Sequence, residues 1–171
     1  MNKTIEIHDL KKSDLDEIDS AFQKIGWRNR RAMCEAYLQQ QSQNLRTVLV
    51  AKMNGKFCGY VTIKWQSDYE PFMLNNIPEI SDLNVLPDFR RKGIGTLLIQ
   101  TCEERIKQKG CNTIGIGVGM TADYGSAQRL YVHLGYVPDG HGLHYQNKAL
   151  NYGDTVRVDD DLVLYFSKPI I

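Results

Sequence analysis

LNVLPDFRRKGIGTLLIQ, residues 83–100, is the stretch on which the fold turns. Leu83 and Val85, with Ile80 ahead of them, read as a buried strand that stops at Pro87, because proline has no amide for a ladder. Arg90, Arg91 and Lys92 then bring positive charge, and Gly93 and Gly95 let backbone amides come close to a ligand. Leu97, Leu98, Thr101, Cys102 and Ile106 follow at helical spacing, with Gly110 as the stop. A helix N-terminus offers unpaired N–H groups and a positive dipole end, so a pyrophosphate is a natural guest here. The same residues also fit an ordinary strand-to-helix turn with solvated charges. Neither standard nucleotide motif is met: G-x-x-x-x-G-K-[ST] is missing. The third position of G-x-G-x-x-G is Leu98 after Gly93 and Gly95, and Met120 after Gly115 and Gly117.

On either side the chain alternates strands and helices. Residues 4–7 read as a first strand, and SDLDEIDSAFQKIG as a helix with Ser13 as N-cap, an apolar stripe of Leu15, Ile18, Phe22 and Ile25, and Gly26 as its stop. A second helix is expected over 29–41. Asn54-Gly55 joins two β-rich runs, the strongest short hairpin signal. Residues 66–76 look irregular. TIGIGVGM, residues 113–120, alternates Gly115, Gly117 and Gly119 with Ile114, Ile116 and Val118. Glycine weakens a strand interior, so these three should share one face kept bare for a closely packed helix or cofactor. GSAQRLYVHLGY reads as a further helix ending at Gly135, and DDDLVLYFSK as a closing strand. No repeat or linker interrupts the order, so the expectation is one domain over 1–171, α/β or α+β with a mixed sheet.

The chain has 171 residues, 42% apolar and 24% charged, with 21 basic against 20 acidic side chains. That near-neutral balance gives no support for a nucleic-acid partner. No run reaches the roughly 18 apolar residues of a membrane span, and the opening residues lack an apolar signal core. The expected location is therefore cytoplasmic, without a membrane partner. Cys34, Cys58, Cys102 and Cys111 form no C-x-x-C pair, and His133, His141 and His144 lack ligand partners. Reduced thiols and no metal are expected.

Residues 83–100 resemble the acetyl-CoA signature of the GNAT superfamily of N-acetyltransferases, [QR]-x-x-G-x-[GA] after L-x-V-x-P, on Arg90, Gly93, Gly95, Leu83, Val85 and Pro87. AQRLYVHLGY is similar to the second signature, A-x-x-L-Y-x-x-x-G-[FY], on Ala127, Leu130, Tyr131, Gly135 and Tyr136. The order of the elements fits over nearly the whole chain. The resemblance implies a mixed, mostly antiparallel sheet flanked by helices and splayed at the acetyl-CoA site. Arg90, Arg91, Lys92, Gly93, Gly95 and Thr96 would then hold the CoA pyrophosphate, chiefly through amides. The strand of Leu83 and Val85 would align the pantetheine arm, with Val85 also serving as plain core. The glycine strand 113–120 would lie beside that arm.

An amine must lose a proton before it attacks, and free alkylammonium groups titrate about three units above neutrality. Glu79 falls where the resemblance places a base, acting directly or through water; a solvated strand start is the other reading. Asp82, three residues on, should lie on the opposite strand face. Tyr131 matches the tyrosine that protonates the departing thiolate, and is equally a core aromatic by position. Tyr124 stands where many members have asparagine, so Asp123 or Ser126 would have to supply that cofactor contact. Trp27, Tyr37, Trp65, Tyr69 and Phe72 would shape an acceptor pocket or the core, and Glu70 with Asp159, Asp160 and Asp161 would draw a cationic acceptor or stay solvated. The function implied is direct acetyl transfer to a primary amine. The sequence that follows the second signature could close over a compact acceptor, so the amine of a small molecule is expected. A protein N-terminus or lysine is the alternative acceptor, and a non-catalytic acetyl-CoA-binding regulator the alternative of another class. A homodimer stays open.

Overall fold

The computed structural model describes residues 4–170. The strands run β1-β2-β3-β4-β5-β8-β6-β7 in a mixed, mostly antiparallel sheet, with helices flanking it. The chain groups into two compact units. One runs up to Trp65 and takes in Ser81–Cys102; the other holds Gln66–Ile80 and the chain from Glu103 onward.

The first unit contains β1 (Ile5–Asp9), α1 (Leu15–Gln23), α2 (Arg30–Ser42), β2 (Arg46–Met53) and β3 (Lys56–Lys64). It also holds most of β4 (Glu79–Val85) and the first turns of α4 (Ile94–Gln108). The β2–β3 hairpin closes at Asn54 (φ 51°) and Gly55 (φ 77°), both left-handed as a type I′ turn requires. Leu15, Ile18 and Phe22 bury the inner face of α1 against Val48, Val50, Phe57 and Tyr60. Ser13 does not cap α1: a single 3-10 turn, Lys12–Asp14, precedes it, and Asp14 holds the cap position. Ile25 lies beyond the helix end and is 37% exposed, so it leaves the stripe.

Asp82 interrupts β4 with a left-handed φ of 52°. The Ser81 hydroxyl lies 2.8 Å from that of Thr62, and Asp82 Oδ2 accepts the Tyr60 hydroxyl at 2.6 Å. Tyr60 and Thr62 are two apart on β3 and project from one face. Two successive β4 side chains therefore reach the same face. The expected alternation, which set Asp82 opposite Glu79, does not carry through this bend.

The second unit contains α3 (Glu70–Leu74), β5 (Thr113–Gly119), α5 (Gly125–His133), β6 (Val137–Tyr145), β7 (Lys148–Ala149) and β8 (Leu162–Pro169). The stretch expected to be irregular thus holds a short helix with Pro71 in its first turn, where a missing amide costs nothing. β8 pairs antiparallel with both β5 and β6, and β5 runs parallel to the start of β4, Glu79 against Gly115. The glycine face of β5 is filled by rings. A β-carbon on Gly115 would fall within 2.5 Å of three Phe72 ring atoms, and one on Gly119 within 2.8 Å of three Tyr124 ring atoms. On Gly117 it would meet Tyr165 and Val163 at 2.9 and 3.0 Å. Glycine is required there by close approach. Tyr69 stacks on Tyr165 with ring centroids 3.6 Å apart, and Phe72 meets both edge-on. No helix among the described residues is long and apolar enough to cross a membrane.

Candidate functional site

Between β4 and α4 the backbone turns through Arg91 (φ 60°) and Gly93 (φ 81°). Nothing lies within 4 Å of a β-carbon built on Gly93, so glycine answers here to conformation rather than to space. Leu97 N–H donates to the Gly93 carbonyl at 3.0 Å, which opens the helical ladder. The amides of Ile94, Gly95 and Thr96 precede that bond and are the donors a helix start leaves over. Arg90 Nε donates to the Val85 carbonyl at 3.1 Å and ties the loop to the strand end. Lys92 Nζ donates to the Asp88 carbonyl and sits 5.2 Å from the centroid of the Phe89 ring. Arg91 is exposed, and Leu83 and Val85 are half-buried. This turn has the donors, charge and backbone geometry for a pyrophosphate.

Glu79, 7% exposed, accepts the Ser67 hydroxyl at 2.5 Å, and Ser67 Oγ also accepts the Tyr69 amide at 3.0 Å. The carboxylate is thus a buried, oriented group at the head of β4 rather than a solvated strand start. Tyr131 is buried on α5, its ring centroid 6.3 Å from that of Tyr136. Ser126 is exposed in the first turn of α5. Tyr124 turns its ring onto Gly119 and donates its hydroxyl to Asp160 at 2.9 Å. Glu79, Tyr131 and Ser126 belong to the second unit; Leu83, Val85, Arg90, Arg91, Lys92, Gly93, Gly95 and Thr96 belong to the first.

Other side chains single out a second polar centre. Asp82 accepts the hydroxyls of Tyr60 (2.6 Å) and Tyr37 (2.9 Å) on Oδ2, and Asn84 Nδ2 on Oδ1 at 2.7 Å. Arg30 donates to the Tyr60 oxygen at 2.9 Å while its guanidinium lies over Trp27. Burial, with the Asp82 charge beside them, pushes both phenols well above the usual tyrosine range. Tyr69 and Phe72 are core residues, and Tyr69 donates to Asp139 at 2.6 Å. Asp159, Asp160 and Asp161 accept bonds from Tyr145, Tyr124 and Gln146, and Asp160 and Asp161 stay exposed. All four cysteines are free thiols, three of them buried. Burial pushes Cys34 and Cys58 up to about 11.

Known proteins share this architecture. An uncharacterized N-acetyltransferase of Methanocaldococcus jannaschii is 28% identical over 143 residues, 78% of this chain. The chain spans 61% of that relative's length. The structure of yncA from Salmonella typhimurium, solved with its cofactor acetyl-CoA, superposes with a TM-score of 0.67 at 18% identity, over 96% of this chain and 93% of that one. The ribosomal-protein-S18-alanine N-acetyltransferase of Escherichia coli gives a TM-score of 0.65 at 18% identity, over 98% and 94%. The profile of the Acetyltransferase (GNAT) family matches residues 13–136, a span that takes in the β4–α4 turn and α5 alike. This chain belongs to the acetyltransferase (GNAT) family.

Proposed function

We propose that the chain is an acetyl-CoA-dependent N-acetyltransferase that passes the acetyl group directly to a primary amine of a small molecule. The observation that carries this is the β4–α4 turn, where left-handed Arg91 and Gly93 lead into the amides of Ile94, Gly95 and Thr96. When bound, acetyl-CoA supplies the acetyl thioester. Arg90, Arg91, Lys92, Gly93, Gly95 and Thr96 hold its pyrophosphate, and the backbone around Leu83 and Val85 aligns its pantetheine. Glu79, oriented by Ser67, takes the proton of the incoming ammonium, directly or through water. The Tyr131 hydroxyl gives a proton to the sulfur that leaves, with Ser126 beside the cofactor at the α5 start. Thiols held near 11 are protonated at neutral pH, so Cys34 and Cys58 are poor acyl carriers, which favours direct transfer. The reaction belongs to the cytoplasm, where acetyl-CoA is available and thiols stay reduced.

The test follows CoA thiol release with acetyl-CoA and a panel of polyamines, amino-acid derivatives and aminoglycosides, beside peptides with a free N-terminus. Release with a small amine, lost in Tyr131→Phe and Glu79→Gln, is the expected result. Release with peptides alone moves the acceptor to a protein. Binding of acetyl-CoA with no turnover on any acceptor makes the chain a regulator.

A further inference from the structure

The second half of β4 is held in place from several directions. Asp82 bends the strand at φ 52°, a conformation aspartate tolerates better than most residues but does not adopt without cause. The cause is a set of hydrogen bonds: its carboxylate accepts from Tyr37 of α2, from Tyr60 of β3 and from Asn84 two residues on. Arg30 fixes the Tyr60 oxygen in turn. Beyond the bend the strand presses onto β3, where a β-carbon on Gly59 would fall 2.5 Å from the Asn84 carbonyl oxygen. Leu86 N–H donates to the Cys58 carbonyl at 2.9 Å, and Arg90 holds the Val85 carbonyl. The path of residues 83–85 is thereby set by side chains of α2 and β3 that carry no acyl-transfer chemistry.

We propose that Tyr37, Tyr60 and Asp82 form a clamp that shapes residues 83–85 to receive the pantetheine arm, and that they are positioning residues for acetyl-CoA. This rests on the acetyl-CoA reading above and adds a division of labour. The clamp governs the pantetheine half of the cofactor, while the turn from Arg90 to Thr96 governs the nucleotide half. A strand-like contact to a ligand needs its amides and carbonyls at fixed spacing, and a relaxed Asp82 would move them.

Calorimetric binding of two probes separates the parts: acetyl-CoA, and adenosine 3′-phosphate 5′-diphosphate, which is the nucleotide half alone. In Asp82→Ala, acetyl-CoA affinity should fall about tenfold, the equivalent of one lost ligand hydrogen bond, with nucleotide affinity unchanged. Asp82→Asn, which tolerates the left-handed bend and keeps an acceptor oxygen, should recover much of the loss. Tyr37→Phe removes one clamp donor and leaves β4 itself intact; it should weaken acetyl-CoA by about threefold. It also keeps the test open should Asp82→Ala fail to fold. Equal weakening of both probes would mean a merely structural role and overturn the clamp, as would unchanged acetyl-CoA binding in Tyr37→Phe and Asp82→Ala. If the unaltered protein binds neither probe, the acetyl-CoA reading itself falls, and the clamp with it.

Discussion

The ring of Phe72 fills the space a side chain on Gly115 would need, with three ring atoms within 2.5 Å of a β-carbon built there. Phe72 is 2% exposed and wedged edge-on against Tyr69 and Tyr165, so the ring cannot swing clear. Gly115→Ala should therefore destabilise the protein by roughly 1–3 kcal/mol, the usual cost of overpacking. Urea unfolding measures it. Phe72→Leu trades one loss for another alone, yet should relieve part of the Gly115→Ala penalty in the double variant, a coupling a mutant cycle reads directly. Strict additivity would show that the two positions do not compete for one volume.

Asp14 predicts a specific acid limb. Its carboxylate is 5% exposed; burial alone would raise its pKa, but the Lys11 amide, His8 and Lys52 outweigh that and hold it below its ordinary 3.8. A carboxyl whose folded pKa is lowered contributes stability that is fully present above the unfolded value. That stability is lost as pH falls through 3.8 toward the folded value. Asp14→Asn should cost roughly 1–3 kcal/mol at neutral pH, since it weakens a charged, buried hydrogen-bond centre. The gap to the unaltered protein should close below about pH 4, near the ordinary carboxylate range. Thermal melts from pH 7 to pH 3 test this; a gap that stays constant would assign the loss to packing.

How much of this was legible beforehand depends on how local the cause is. The Asn54-Gly55 hairpin, the stripe of Leu15, Ile18 and Phe22, and the stop at Gly110 follow from residues close in sequence, and each appears where the spacing put it. The alternating glycines announced close packing on β5, but Phe72 and Tyr165, which cover Gly115 and Gly117, lie more than 40 residues away, and only Tyr124 is close to the glycine it covers. α3 spans five residues, too short for a helical period to show. The bend at Asp82 is the least visible feature. No glycine marks it, alternation is the default for a strand, and the tyrosines that hold it lie 45 and 22 residues away. In the candidate site, the charged turn declared itself through its glycines, whereas the hydroxyl of Ser67 that orients Glu79 sits in a stretch that read as irregular.

Cysteine reactivity should separate one thiol from three. Cys34, Cys58 and Cys102 are buried, and Cys111 is half-buried. Burial raises Cys34, helped by the nearby Asp82 charge, and burial raises Cys58, both to about 11, so little thiolate forms at pH 8. With a chromogenic disulfide at pH 8, the native protein should react quickly at Cys111 alone, while the denatured chain should react at all four of its cysteines. Cys111→Ser should abolish the fast phase. A fast phase that survives this substitution would mean that a buried thiol is reached by opening of the native fold.

Tyr124 should act as a tether for the segment between β7 and β8. Its ring covers Gly119 and its hydroxyl reaches Asp160, next to Asp159, which accepts the Tyr145 hydroxyl at 3.0 Å. Tyr124→Phe removes the bond to Asp160 and should cost about 0.5–1.5 kcal/mol. Tyr124→Ala also strips the cover from Gly119 and should cost clearly more, through lost apolar contact. The segment carries an exposed arginine, Arg157, three residues before Asp160. Tryptic cleavage after Arg157 should therefore quicken in Tyr124→Phe, since a less tethered loop opens more often for the protease. Unchanged cleavage in Tyr124→Phe together with a full loss of stability in Tyr124→Ala would reduce Tyr124 to a packing residue on β5, and would leave Tyr145 as the anchor of the acidic run.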